Sequence, residues 1–180
     1  MMSVLSKLLD GIKITESSGD LNTLVSGITD NSREAKDKYI FACMPAKYES
    51  PYASWTYRTD GHDYIANAID NGASVILVQK PLSEINLKEG VTFIRVDDTR
   101  IALAKVSANF YDHPSRKLLM VGVTGTNGKT STCYLAKSIL SFAGKGTAIL
   151  GTIVQRAGGK DISAGMTTYE AHRLQMALRD

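Results

Sequence analysis

Val4, Leu5, Leu8 and Leu9 recur at spacings of one, three and four, which predicts a short helix with one buried face ending near Gly11. A polar stretch containing "GITDNSREAKD" (27–37) leads into "YIFAC" (39–43), a predicted strand. Helical period returns in "HDYIANAIDNG" through Tyr64, Ile65, Ala68 and Ile69, with Asn71-Gly72 as its exit. "ASVILV" (73–78) and "VTFIRV" (91–96) then predict strands separated by a polar link holding Pro81. Asp98 is placed to cap the next helix, whose Ile101, Leu103, Ala104, Val106 and Phe110 form an apolar surface. Alternation of this kind predicts an α/β layer arrangement.

"YDHPSRK" (111–117) ends that helix, because Pro114 cannot continue it and biases His113 away from the helical region. A second unit then begins with the apolar run 118–123, a predicted strand, followed by a glycine-rich turn and a helix from about Lys129 to Phe142. Gly144 ends that helix, and "TAILGTI" (147–153) predicts another strand. After Gly158-Gly159, Thr167 and Glu170 have capping-box spacing before a last helix. The expected division is a small N-terminal α/β domain over 1–115 and the start of a parallel-sheet, P-loop-type ATPase domain over 116–180. One stretch resists assignment. "MPAKYESPYASWTYRTDG" (44–61) is long for a connection in a compact domain, and such loops usually bind something or move.

Composition narrows the classes. With 180 residues, 43% apolar and 22% charged, the chain suits one ordinary domain or two small ones. Its net charge is +3, and the basic residues are interspersed with acids rather than gathered in the stripe that nucleic acid or a membrane surface would attract. Lys7 and Asp10 interrupt the first apolar run, as an export signal would not allow, and a cytoplasmic chain is expected. Cys43 and Cys133 have no CxxC spacing, and His62, His113 and His172 have no neighbour at metal-ligand or triad spacing.

The candidate chemistry lies in "LLMVGVTGTNGKTSTCYLAKSIL" (118–140). Backbone N–H groups at the start of a helix lack intrahelical acceptors and face the positive end of the helix dipole, so a phosphate placed there gains several hydrogen bonds. Gly125 and Gly128 let the backbone curl around an anion, Lys129 reaches the β- and γ-phosphates, and the Thr130 hydroxyl is placed to ligate Mg²⁺. Gly125, Thr126, Asn127, Gly128, Lys129, Thr130 and Ser131 thus form a candidate cradle for ATP, with Lys129 and Thr130 its catalytic members. The run is a variant of the Walker pattern, with valine at 123 and glycines at 122, 125 and 128. A plain strand-to-helix turn, with Lys129 solvated and Thr130 as a cap, is the alternative.

These residues resemble the ATP-binding turn of the Mur ligases, the ATP-dependent amide-forming enzymes of peptidoglycan precursor synthesis. "DNSR" (30–33), "DGHDYIANAIDNGASVILV" (60–78), "VDDTRIALAKVSANFYDHPSRKLLMVGVTGTNGKT" (96–130) and "TTYEAHRLQ" (167–175) extend the resemblance over nearly the whole chain. They favour the members that add the third residue of the stem peptide. The resemblance implies that Asp30 and Ser32 touch a uridine nucleotide, with Arg33 beside them. On the residues alone, the alternative is that Asp30 and Ser32 satisfy turn backbone groups and Arg33 is a surface charge.

Thr167 and Thr168 match a family motif that contacts the muramoyl-dipeptide, although Met166 replaces the usual asparagine and Thr167 also suits a simple helix cap. The 44–59 segment is longer than the family link, either as an aromatic lid or as a surface elaboration. The implied chemistry is activation of a D-glutamate carboxylate of UDP-N-acetylmuramoyl-dipeptide by ATP with Mg²⁺, then attack by a diamino acid. The implied enzyme is monomeric. The second Mg²⁺ carboxylate, a modified lysine and a third domain are expected past residue 180, so the chain is expected to be the first third or so of such an enzyme and inactive by itself. A folate or poly-amino-acid ligase and a non-catalytic nucleotide-binding module remain the alternatives.

Overall fold

The computed structural model describes residues 1–49, 54–56, 59–151, 155–157, 160–161 and 169–179. They form two compact units, Met1–Asp112 and His113–Asp180.

The first unit is built on a five-stranded sheet of β1 (Ile14–Ser18), β2 (Gly27–Thr29), β3 (Tyr39–Ala42), β4 (Ala73–Val78) and β5 (Thr92–Val96), in the order β1-β5-β4-β3-β2. Strands β2 to β5 run parallel, with Phe41 opposite Ile76 and Ile76 opposite Phe93, while β1 joins antiparallel at the edge. Five of the six residues of β4 are buried, as expected of a central strand covered on both faces. On one face Phe41, Ile76, Val78 and Phe93 pack with Ile65 and Ala68 of α2 (Ile65–Asp70). The alternate residues of β3 and β4 face α3 (Thr99–Phe110), which buries Ala102, Leu103, Val106 and Phe110 and also packs against α1 (Leu5–Leu8). Asp98 caps α3 as expected, its carboxylate accepting from Arg100 N at 2.8 Å and Ile101 N at 3.0 Å.

The predicted strands at 39–43, 73–78 and 91–96 are present within a residue or so, and β1 and β2 are additions. Neither addition carries the apolar signal of a buried strand. β1 reads ITESS and alternates half-buried with exposed positions, and β2 has only three residues inside a polar stretch.

In the second unit the glycine-rich turn is followed by α4 (Lys129–Phe142), as expected. Residues 118–123, read from the sequence as a strand, carry no ladder. Apolarity suggests a strand, but a strand exists only with a hydrogen-bonded neighbour, and none of the described residues lies alongside this run. Among the described residues of 147–153, β6 (Ile149–Leu150) pairs antiparallel to β7 (Gln155–Ala157), which pairs with β8 (Lys160–Asp161). α5 (Ala171–Arg179) packs on the turn Pro114–Lys117. No residue of α4 is buried, and Leu135, Ile139 and Phe142 are exposed.

Candidate functional site

Because β2 to β5 point the same way, the turns that follow them share one edge of the sheet, the place where open parallel sheets bind ligands. The first of these turns holds Asp30, Ser32 and Arg33. Asn31 caps its 3-10 segment, Ser32–Glu34, by accepting from Arg33 N at 3.1 Å, and the buried Thr29 hydroxyl accepts from Asn31 N at 3.0 Å. Asn71 Nδ2 donates to the Ser32 carbonyl at 2.9 Å and ties the turn to the end of α2. Ser32 is buried, Asp30 is half-buried and Arg33 is exposed. The Ser32 hydroxyl takes no part in these turn-forming bonds, so the three predicted residues sit together on a turn shaped by others. Thr29 and the capping role of Asn31 escaped the sequence reading, which took Asn71 only as a helix exit and not as a tie to this turn. Asn31 had a usable signal, an asparagine three residues before Glu34, whose carboxylate accepts from Asn31 Nδ2 at 3.3 Å.

The long 44–60 segment is closed at its root. Gly61 N donates to the Met44 carbonyl at 2.7 Å, and a Cβ at Gly61 would lie 2.5 Å from Met44 N, so only glycine fits this approach. Beside it, Asp60 caps the 3-10 turn Gly61–Tyr64, accepting from His62 N at 2.9 Å. Burial works against the Asp60 charge, yet the His62 N–H, the His62 ring and Lys80 outweigh it and hold the carboxyl below its ordinary range. Burial pushes the Cys43 thiol far up, so this cysteine is an inert core residue. The segment itself forms a small hairpin, Lys47–Glu49 with Ser54–Thr56, in which Tyr48 is opposite Trp55.

In the second unit, Gly128 is the N-cap of α4 with φ 79°, and Gly125 has φ 149°, both backbone states that side chains disfavour. A Cβ at Gly128 would meet nothing within 4 Å, so conformation rather than crowding requires the glycine. The first helical bond runs from Thr132 N to the Gly128 carbonyl at 2.9 Å, which leaves the N–H groups of Lys129, Thr130 and Ser131 ahead of the ladder. Lys129 Nζ donates to the Gly125 carbonyl at 2.6 Å and lies 3.5 Å from that of Thr126. Exposed N–H groups, a lysine and a hydroxyl suit a phosphate chain and one position on a divalent cation. Among the described residues no group of three or more His, Cys, Asp or Glu could hold a metal by itself. Thr167 and Thr168, with Met166, lie outside the described residues. No helix among the described residues is long and apolar enough to cross a membrane.

Two family profiles match the chain, one described as "Mur ligase middle domain" over residues 123–180 and one as "Mur ligase family, catalytic domain" over residues 52–111. UDP-N-acetylmuramoyl-L-alanyl-D-glutamate–2,6-diaminopimelate ligase 1 of Clostridium acetobutylicum is 36% identical over 176 residues, covering 98% of this chain and 34% of that protein. The corresponding ligase of Caldanaerobacter subterraneus is 39% identical over 168 residues, or 93% of this chain and 32% of that protein.

The chain belongs to the Mur ligase family. It spans about a third of the length of the curated relatives it matches. A solved diaminopimelate ligase shares its fold at TM-score 0.66 and 19% identity, with 99% of this chain and 33% of that one covered. The MurF of Acinetobacter baumannii does so at TM-score 0.61 and 22% identity, with the same coverage. Both likenesses concern the fold. The glycine-rich turn lies inside the middle-domain match, and Asp60, Gly61 and His62 lie inside the other.

Proposed function

We propose that the whole protein is an ATP-dependent ligase that joins 2,6-diaminopimelate to UDP-N-acetylmuramoyl-L-alanyl-D-glutamate in the cytoplasm, and that it acts as a monomer. Residues 1–115 hold the uridine nucleotide, with Asp30 and Ser32 on the nucleoside and Arg33 on an anionic oxygen. Residues 116–180 begin the ATP domain, and Thr167 and Thr168 contact the muramoyl-dipeptide. The observation that carries this reading is the Gly125–Ser131 turn at the mouth of α4, in a chain whose relatives are named for this reaction.

In this reading the N–H groups of Lys129, Thr130 and Ser131 bind the phosphate chain, and the Lys129 ammonium leaves the Gly125 carbonyl to meet the β- and γ-oxygens. As the γ-phosphoryl passes to the D-glutamate carboxylate, these groups stabilise charge on its equatorial oxygens and hold donor and acceptor in line. Thr130 would hold Mg²⁺, which supplies further neutralisation of the phosphate oxygens when bound. The first unit anchors the uridine end of the acceptor, so binding energy far from the reacting carboxylate positions it. Calorimetry of the 180-residue chain with UDP-N-acetylmuramoyl-L-alanyl-D-glutamate tests the acceptor half. Saturable 1:1 binding is expected. A well-folded chain that binds none of it overturns the assignment of residues 1–115.

A further inference from the structure

The carboxyl ends of β3, β4 and β5 are joined by a chain of polar contacts that passes through the side chains of Asp60, His62, Gln79 and Thr99. His62, only 9% exposed, has Nδ1 at 2.6 Å from Asp60 Oδ1, while its Nε2 accepts from Gln79 N at 3.1 Å. An acceptor at Nε2 fixes the ring as the neutral tautomer with its proton on Nδ1, donated to Asp60. The Gln79 side chain accepts from Thr99 N at 3.3 Å and donates to the Asp97 carbonyl at 3.2 Å. The Thr99 hydroxyl, fully buried, lies 2.8 Å from both Gln79 Oε1 and the Cys43 carbonyl. Residues before and after the long loop, and those that follow two neighbouring strands, are thereby held to one another. A hydrogen-bonded network of this kind, mostly part-buried, fixes geometry.

What this network presents is Lys80. Its side chain is 41% exposed, and its Nζ lies 3.5 Å from Asp60 Oδ2, the oxygen that His62 does not use. Lys80 follows β4, two strands from the Asp30–Arg33 turn that follows β2. Strands spaced about 4.8 Å apart make that offset roughly 10 Å. This is comparable with the reach of a nucleoside diphosphate from its base to its terminal phosphate. The Asp60 charge is shared with two His62 donors, which leaves the ammonium available to an anion.

We infer that Lys80 contacts the diphosphate of the nucleotide sugar, and that His62 and Gln79 are positioning residues that hold Asp60 and Lys80 for it. The inference rests on the uridine-site reading of residues 1–115 given above. The experiment titrates the 180-residue chain with uridine and with UDP, following backbone amide shifts by NMR. Lys80→Met is expected to weaken UDP about tenfold and to leave uridine within twofold. His62→Ala is expected to do the same, and His62→Gln, whose side-chain oxygen can accept from Gln79 N, to restore most of the UDP affinity. If Lys80→Met leaves UDP affinity within twofold, or if all three variants lose uridine and UDP equally, the inference falls while the uridine site stands. If the unaltered, folded chain binds neither ligand, both fall together.

Discussion

Lys129 is bound to its own loop: its ammonium donates to the Gly125 carbonyl at 2.6 Å, so the side chain that would meet a phosphate spans the turn that would cradle it. Replacing Lys129 with Met removes both the internal tie and the charge. Binding of a fluorescent ATP analogue is expected to fall at least tenfold in Lys129→Met. Lys129→Arg, which keeps the charge but not its compact shape, should fall between the two. Equal affinity in all three proteins would remove Lys129 from the cradle.

Gly72 ends α2 with φ 108°, and a Cβ there would lie 2.7 Å from Asp37 N, a backbone atom that cannot swing aside. Gly72→Ala combines a disfavoured backbone state with overpacking and is expected to cost about 2–4 kcal/mol. Urea unfolding followed by circular dichroism measures this, with the midpoint lowered and the slope unchanged.

Thr99 is fully buried, and its single O–H is shared between two acceptors at 2.8 Å, the Cys43 carbonyl and Gln79 Oε1. Thr99→Val keeps the shape but leaves the Cys43 carbonyl without this donor, so a loss of about 1–3 kcal/mol is expected in the same unfolding measurement. A neutral result would mean that water replaces the hydroxyl.

The depressed pKa of Asp60 gives a pH signature. Its charge contributes stability that is complete above the ordinary carboxyl value of about 3.9 and is lost as pH falls through the lower folded value. Asp60→Asn should therefore be less stable than the parent at pH 7, and the gap should close as pH drops below about 4. Glu16, also lowered, by the Leu82 N–H and then by Arg95, titrates alike in both proteins and cancels in the difference. A gap that stays constant from pH 7 to pH 3 would show that the Asp60 charge contributes nothing.

The parts of the fold legible in the sequence are those where burial is two-sided or a cap is explicit. β4 announces itself as ASVILV, and Asp98 and Gly72 mark a helix start and a helix end by side-chain chemistry and backbone freedom. β1 was illegible because an edge strand shows water one face and needs no apolar run. The run 118–123 misled for the opposite reason: its residues are apolar, yet none of the described residues pairs with it in a ladder, and Leu119 is 90% exposed. Within the candidate site, Lys129 and Gly128 could be read from their spacing. Asn71 and Gln79 could not, because each matters through residues 39 and 20 positions away in sequence.

The Met44–Gly61 closure also pins the two ends of the intervening segment to each other. Since the chain leaves and re-enters through one hydrogen-bonded gate, lengthening the excursion adds a loop-entropy cost of roughly 0.6 kcal/mol for each doubling. That site can therefore accept grafted or lengthened segments as a cassette while the strands beneath keep their register.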